Sequence, residues 1–73
     1  MARWAIIDKE TGVVLNAIEA DVEFIEQLKQ QEFILVEKDV VKRPEEVEII
    51  ESEIASKDDI VINGKVYRYA GGI

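Results

Sequence analysis

Seven carboxylates within fifteen residues form the densest set of potentially reactive side chains in this chain. A pair of carboxyl groups can act as acid and base in the cleavage of a glycoside. One of the two would need a raised pKa in a closed cleft, and a chain of 73 residues has little volume to enclose one. We therefore interpret the set as a solvated acidic face. It comprises Glu45, Glu46, Glu48, Glu51, Glu53, Asp58 and Asp59.

The other reactive groups lack the partners that their chemistry needs. The segment from Asp8 to Gly12 places acidic residues two positions apart, but it does not match the spacing of an EF-hand calcium loop. The chain has no histidine and no cysteine, which removes the usual transition-metal ligands, thiol nucleophiles and neutral-pH proton carriers. Ser52 and Ser56 have no histidine to activate them. We expect no catalytic residue, no metal site, no cofactor and no enzymatic activity.

Aromatic residues near the two ends of the chain are candidates for protein contacts. Aromatic anchors are common at interfaces, and we predict that Trp4, Tyr67, Tyr69 and the terminal Ile73 contribute to one. A tryptophan in such a position is more often the largest side chain of a small core, and both alternatives stay open for Trp4. Base stacking around Arg68 is disfavoured because the nine basic residues are scattered along the chain.

The net charge of −7 disfavours nucleic acids and anionic membranes as partners. The acidity is either that of an ordinary soluble surface or a mimic of nucleic-acid charge directed at a basic protein. The apolar run of residues 4–7 ends at Asp8, so no signal peptide is indicated. No stretch approaches the roughly 20 apolar residues that span a bilayer. These features predict a soluble chain that stays in the cytoplasm, unless it is part of a virion.

Hydrophobic patterning predicts the elements of the first half. Residues 3–8 and 13–20 are β-prone segments around a turn and predict an antiparallel hairpin. Asp21 is placed to cap a helix of two to three turns, whose buried stripe would contain Val22, Ile25 and Leu28. The apolar run of residues 33–36 predicts a third strand, covered on both faces.

The second half contains one ambiguous segment and one clear signal. Pro44 can open a helix, and a helical stripe with a Glu53–Lys57 ion pair favours a helix over residues 44–55, although a strand also fits. Asn63-Gly64 between two β-prone runs predicts a type I′ hairpin over residues 60–69. Its register would place Ile62 opposite Lys65 and Ile60 opposite Tyr67.

These elements predict an α+β domain with an antiparallel or mixed sheet of four to five strands. The order is β-β-α-β-(α)-β-β, with one or two short helices. Residues 1–73 would form a single domain, with residues 70–73 as a flexible or partner-pairing tail. A domain of this size buries only about 60% of the surface that its unfolded chain exposes. With disulfides excluded, dense packing or association must supply stability, so we expect a self-associating or partner-bound chain.

The first third of the chain resembles the opening of small proteins from tailed bacteriophages. The resemblance is carried by Trp4-Ala5-Ile6-Ile7-Asp8 and by Thr11-Gly12-Val13-Val14-Leu15-Asn16-Ala17-Ile18-Glu19-Ala20-Asp21. It contains no catalytic signature. The resemblance implies a structural virion component, either a capsid decoration (cement) protein or a tail accessory protein.

Two functional hypotheses follow. The first is a non-enzymatic structural protein that associates with itself or docks on a larger scaffold, with a virion as the expected location. The alternative is a small acidic inhibitor that presents the carboxylates of residues 45–59 to a basic host or phage protein as a decoy for phosphates. The first predicts an apolar interface with mild salt dependence, and the second predicts binding that weakens steeply with salt.

Overall fold

Strand β1, Ala2–Asp8, lies at the centre of the computed structural model, which describes residues 1–68. Three consecutive side chains of β1, Ala5, Ile6 and Ile7, are buried. Successive side chains of a strand point to opposite faces, so both faces of β1 are covered. The other described elements are β2 (Val14–Ala20), α1 (Val22–Lys29), β3 (Ile34–Glu37), β4 (Val40–Lys42), a 3-10 turn (Pro44–Glu46), β5 (Val47–Glu51), β6 (Ile60–Ile62) and β7 (Lys65–Tyr67).

The central sheet has the order β2-β1-β5, and both pairings are antiparallel. At the end of β1 the Asp8 amide donates to the Val13 carbonyl at 2.9 Å, on the side of β2. The next amide, that of Lys9, donates to the Glu46 carbonyl at 3.0 Å, on the side of β5. Because bonded residues alternate along an antiparallel ladder, β1 directs its backbone groups to both neighbours in turn.

Two apolar clusters lie on the two faces of this sheet. Helix α1 and the ribbon formed by β3 and β4 cover one face, while the β6–β7 hairpin and the loop before it cover the other. The first cluster comprises Ile6, Ala20, Ile25, Ile34, Val36, Val47 and Ile49. The second comprises Ala5, Ile7, Val14 and Ala55, with Ile50, Val61 and Val66 packed against it. The core is thus divided into two layers by the central sheet.

The α+β class is confirmed in its coarse form, but the prediction of one sheet with four to five strands is wrong. In the described part of the chain, seven strands form three small sheets, β2-β1-β5, β3-β4 and β6-β7. Strand β4 lies between the predicted strand at 33–36 and the predicted helix at 44–55, where no element was predicted. Val40 and Val41 are β-branched, and they pair with β3 across the short turn at Lys38 and Asp39.

The helix predicted for residues 44–55 is also wrong. Pro44 opens only a single 3-10 turn, after which the chain becomes extended as β5. Val47 points into the first cluster, whereas Ile50 packs against the second. These side chains alternate between the faces of the sheet, which is the period of a strand and not of a helix.

Helix α1 lies where the sequence predicts it, but its buried stripe is narrower. Asp21 is the N-cap residue, although its carboxylate makes no capping hydrogen bond. Ile25 is buried and Leu28 packs partly against the first cluster. Val22 and Phe24 are about half exposed. A helix of two turns on the edge of a small core can therefore bury little more than one full side chain.

The hairpin of β6 and β7 confirms both the predicted turn and the predicted register. Ile60 lies opposite Tyr67 and Ile62 opposite Lys65. The two central residues have positive φ angles, 51° at Asn63 and 80° at Gly64, as a type I′ turn requires.

Gly12 brings the turn between β1 and β2 against the backbone of β6. Its φ is +80°, and a Cβ at this position would lie 2.8 Å from the Val61 carbonyl oxygen. The Val61 amide donates to the Gly12 carbonyl at 2.8 Å, so this contact fastens the last hairpin to the central sheet. Gly64 has the same φ, but open space surrounds the position of its missing Cβ.

We expect Gly12→Ala to lower the free energy of unfolding by more than Gly64→Ala does. Both substitutions place a Cβ on a left-handed residue, which costs about 1–2 kcal/mol. Only at Gly12 must the Val61 carbonyl also move. Urea unfolding followed by tryptophan fluorescence measures both losses. Equal losses would show that the close approach at Gly12 contributes nothing.

Candidate functional site

The β3–β4 ribbon turns three large apolar side chains toward solvent. Leu35 and Val41 lie directly opposite each other and are 65% and 54% exposed. Phe33, two residues before Leu35 and on the same face, is 48% exposed. Ile34 and Val36 have the opposite orientation and fill the first cluster. We call Phe33, Leu35 and Val41 the ribbon patch.

One positive charge contacts the ribbon patch, and a second lies in the adjacent turn. The Arg43 guanidinium lies over the ring of Phe33, 5.6 Å from its centroid, which is the geometry of a cation–π contact. Lys38 lies in the turn of the ribbon, whereas Lys42 is opposite Ile34, on the face that points to the first cluster. Glu37 at the end of β3 and Asp39 in the turn bring two carboxylates to the ribbon.

The last hairpin also exposes apolar side chains on its outer face. Val61 and Val66 pack against the second cluster. Ile62 and Tyr67 point the other way and are 53% and 51% exposed. Tyr67 is accessible, as a contact residue has to be, and its role in an interface stays a prediction. The other two predicted contacts, Tyr69 and Ile73, and the predicted tail at 70–73 lie outside the described residues.

Trp4 packs against the protein's own core. It is partly buried beside the first cluster, and its indole Nε1 donates to the Ala20 carbonyl at 2.9 Å. A tryptophan whose ring is packed and whose polar atom is bonded has the geometry of a core residue. The predicted role of Trp4 in an interface has to be separated from this packing by experiment.

The seven predicted acidic residues have different roles in the structure. The Glu46 carboxylate accepts a hydrogen bond from the Arg43 amide at 2.8 Å and closes the 3-10 turn. Asp59 is buried and accepts from the Ser56 amide at 3.0 Å, while Asp58 has a φ of 77° in the same loop. The remaining residues, Glu45, Glu48, Glu51 and Glu53, are exposed.

The exposed carboxylates do not form the single face that a helix would have given. Because β5 is extended, the side chains of Glu48 and Glu51 leave opposite faces of the sheet. The predicted partner of Glu53 is engaged elsewhere, since Lys57 Nζ lies 2.7 Å from Glu37 Oε2. The hydrogen bond to Glu37 and the attraction of its charge raise the pKa of Lys57 above its ordinary value of 10.5.

Asn16 closes part of the outer edge of β2. Its Oδ1 accepts from the Ala17 amide at 2.9 Å, and its Nδ2 donates to the Val36 carbonyl at 2.6 Å. Nearby, the Val14 amide donates to the Asp59 carbonyl at 2.7 Å. Sequence reasoning gave Asn16 no role. The feature that could have indicated this role is the amide side chain of Asn16, which stands between two apolar residues of a predicted strand.

The opposite edge of the central sheet is open. Within residues 1–68, no strand pairs with the outer side of β5. A groove of about 510 Å³ runs beside it, with apolar lining from Ile34, Val47 and Ile49, positive charge from Lys9 and Lys29, and negative charge from Glu45 and Glu48. We call this feature the edge groove.

Two kinds of site are not found in the part of the chain that the structure describes. No group of three or more acidic side chains there could hold a metal ion. No helix there is both long enough and apolar enough to cross a membrane.

No protein-family model matches the chain, and neither a curated protein nor a solved structure is significantly similar to it. The resemblance of residues 4–21 to proteins of tailed bacteriophages therefore stays a prediction.

We expect Trp4→Phe to lower the free energy of unfolding by about 1 kcal/mol, because the Ala20 carbonyl loses its donor while most of the ring remains. Trp4→Ala should cost more, about 3 kcal/mol, because packing against the first cluster is also lost. Urea unfolding followed by circular dichroism measures both. A Trp4→Ala variant as stable as the wild type would contradict the packing role and leave the interface role for this residue.

Proposed function

We propose that this chain is a non-enzymatic structural protein that docks on a larger protein scaffold through the ribbon patch. The observation that carries the proposal is a set of large apolar side chains, Phe33, Leu35 and Val41, each about half exposed or more. Clustered apolar surface on a small protein is typical of an interaction site. The other face of the ribbon is fixed in the first cluster, so the patch is held in place before it binds.

The charges around the patch indicate the chemistry of the partner surface. Arg43, which lies over Phe33, and Lys38 in the adjacent turn would be complemented by carboxylates around an apolar centre. Such a partner would bury Leu35 and Val41 and meet positive charge at the margin. Binding of this kind draws most of its free energy from apolar burial, so it depends only mildly on salt.

The scaffold that we propose is the particle of a tailed bacteriophage, on which the chain serves as a capsid decoration or tail accessory protein. The resemblance of residues 4–21 supports this assignment, and in the structure these residues form the β1–β2 hairpin at the centre of the fold. The proposed location is accordingly the virion, with the cytoplasm as the alternative.

The alternative function, an acidic inhibitor of a basic protein, receives less support from the geometry. Glu46 and Asp59 are engaged in local hydrogen bonds, and Glu48 and Glu51 leave opposite faces of the sheet. The exposed carboxylates therefore do not present one continuous surface to a partner.

We expect the variant Leu35→Ser/Val41→Thr to lose its place on the particle. A tagged chain is produced while the phage that encodes it grows, particles are purified on a density gradient, and the bound chain is quantified by mass spectrometry. Loss of two central apolar contacts should reduce binding roughly tenfold or more. The matched control, Val22→Thr/Phe24→Ser, changes two α1 side chains that are 51% and 50% exposed and should bind as the wild type does.

Two outcomes would contradict this proposal. A wild-type chain that never bands with particles would remove the virion assignment, and a patch variant that binds fully would remove the ribbon patch. Repeating the gradient at about 0.5 M salt distinguishes the alternative function, because only contacts dominated by charge are screened strongly.

A further inference from the structure

Alternate residues of β5 direct their backbone groups away from β1. The Ser52 amide donates to the Arg3 carbonyl, and the Lys9 amide donates to the Glu46 carbonyl, both at 3.0 Å. Bonded pairs alternate along an antiparallel ladder, so the even-numbered residues from 46 to 52 bond to β1. The residues that face outward are Val47, Ile49 and Glu51.

Most of these outward groups have no partner within residues 1–68. The Val47 amide is bonded to the Pro44 carbonyl in the 3-10 turn. The Val47 carbonyl and both backbone groups of Ile49 and Glu51 make no hydrogen bond in the described part of the chain. A row of free donors and acceptors on an edge strand is a template for a further strand.

The other edge of the sheet is closed in part by specific contacts, so the two edges differ. On β2, the Asn16 side chain binds the outward amide of Ala17, and the Asp59 carbonyl binds that of Val14. The edge of β5 has no such cover in the described residues, and the edge groove leaves room beside it. The edge of β5 is therefore the more open of the two in the described part of the chain.

We infer that two copies of this chain pair through β5, in antiparallel orientation, to form a six-stranded sheet of order β2-β1-β5-β5-β1-β2. The pairing adds a second copy to the docking protein proposed above. Leu35 and the rest of the ribbon patch do not line the edge groove, so either surface can function without the other.

One register uses all three outward residues of β5, with Val47 taking part through its carbonyl because its amide is bonded to the Pro44 carbonyl. It centres on Ile49, which lies opposite Ile49 of the second copy, and it places Val47 opposite Glu51 of that copy. Glu48 then lies opposite Ile50. A shift by two residues toward the start of β5 would place Glu48 opposite its own copy, and like charges directly opposed are destabilising. The carboxylates of β5 thus disfavour that neighbouring pairing while permitting the centred one.

Charge complementarity also favours a second copy as the occupant. Val47 and Ile49 point to the α1 side of the sheet, where they share the first cluster with Ile25. Glu51 has the same orientation, so in the centred register Glu51 of the second copy lies on the α1 side, opposite Val47. Lys29, at the end of α1, lines the edge groove there and makes no ion pair in the described part of the chain. Two-fold symmetry forms this Lys29–Glu51 contact twice.

We expect the full 73-residue chain to sediment as a dimer. Lys29→Glu and Glu51→Lys should each raise the dimer dissociation constant roughly tenfold or more, because each places like charges together at two symmetric positions. The double variant Lys29→Glu/Glu51→Lys should restore the wild-type constant. Analytical ultracentrifugation over a range of protein concentrations measures all four.

Matched controls separate this contact from a change in net charge. Lys65→Glu and Glu23→Lys alter the charge by the same amounts outside the edge groove and should leave the dimer unchanged. A monomeric wild type, controls that weaken the dimer equally, or a double variant as weak as the single ones would each overturn the proposal. A chain that dimerises only after removal of residues 69–73 would overturn it as well, since the full chain would then block its own edge.

The register can be tested because the chain has no cysteine of its own. In the centred register, Glu48 and Ile50 of the other copy form a non-hydrogen-bonded pair with Cα atoms about 4.5 Å apart, within the range of a disulfide. Glu48→Cys mixed with Ile50→Cys should therefore cross-link on mild oxidation, and neither variant alone should. Cross-linking of Glu48→Cys with itself would overturn the register. The variant Leu35→Ser/Val41→Thr should remain a dimer, which separates this result from a failure of docking.

Discussion

The position of β1, with both faces and both edges occupied, is the constraint on which the rest of the structure depends. Ile6 serves one apolar cluster while Ala5 and Ile7 serve the other, so each cluster needs its own cover. Helix α1 and the β3–β4 ribbon supply one cover, and the last hairpin supplies the other. A slip of one residue in β1 would exchange the two sets of side chains and leave neither cluster filled.

The same arrangement makes the two outer edges of the central sheet unequal. On the β2 side, the chain returns through residues 58–61, and Asn16 bonds both its own strand and β3. On the β5 side, the chain arrives from the 3-10 turn and leaves into the loop that Arg3 holds through the Ala55 carbonyl. The contacts that cover an edge of the central sheet are therefore concentrated on β2, while no strand of the described residues pairs with the outer side of β5.

The sequence was sufficient where a local interaction decides the structure. Asn63 and Gly64 determine the last hairpin and its register, because few other residues accept positive φ at both positions. Residues 44–55 could not be predicted in this way, since Val47 and Ile50 fit a helical stripe and a strand equally well. What decides between them is the free edge of β1, which is a tertiary requirement that overrides local preference.

The candidate surfaces were harder to predict than the fold, because orientation and not residue type defines them. The apolar run of residues 33–36 indicates a strand covered on both faces, yet pairing with β4 turns Leu35 outward beside Val41. Trp4, the most conspicuous aromatic residue, packs partly against the first cluster, and its predicted interface role stays a prediction. Only one face of a two-stranded ribbon packs against the core. Successive side chains of a strand alternate between its faces, so an apolar residue between two buried ones has to face outward. Such exposed residues add nothing to the packing of the isolated fold, and a covering partner for the ribbon patch is the proposal that the docking experiment tests.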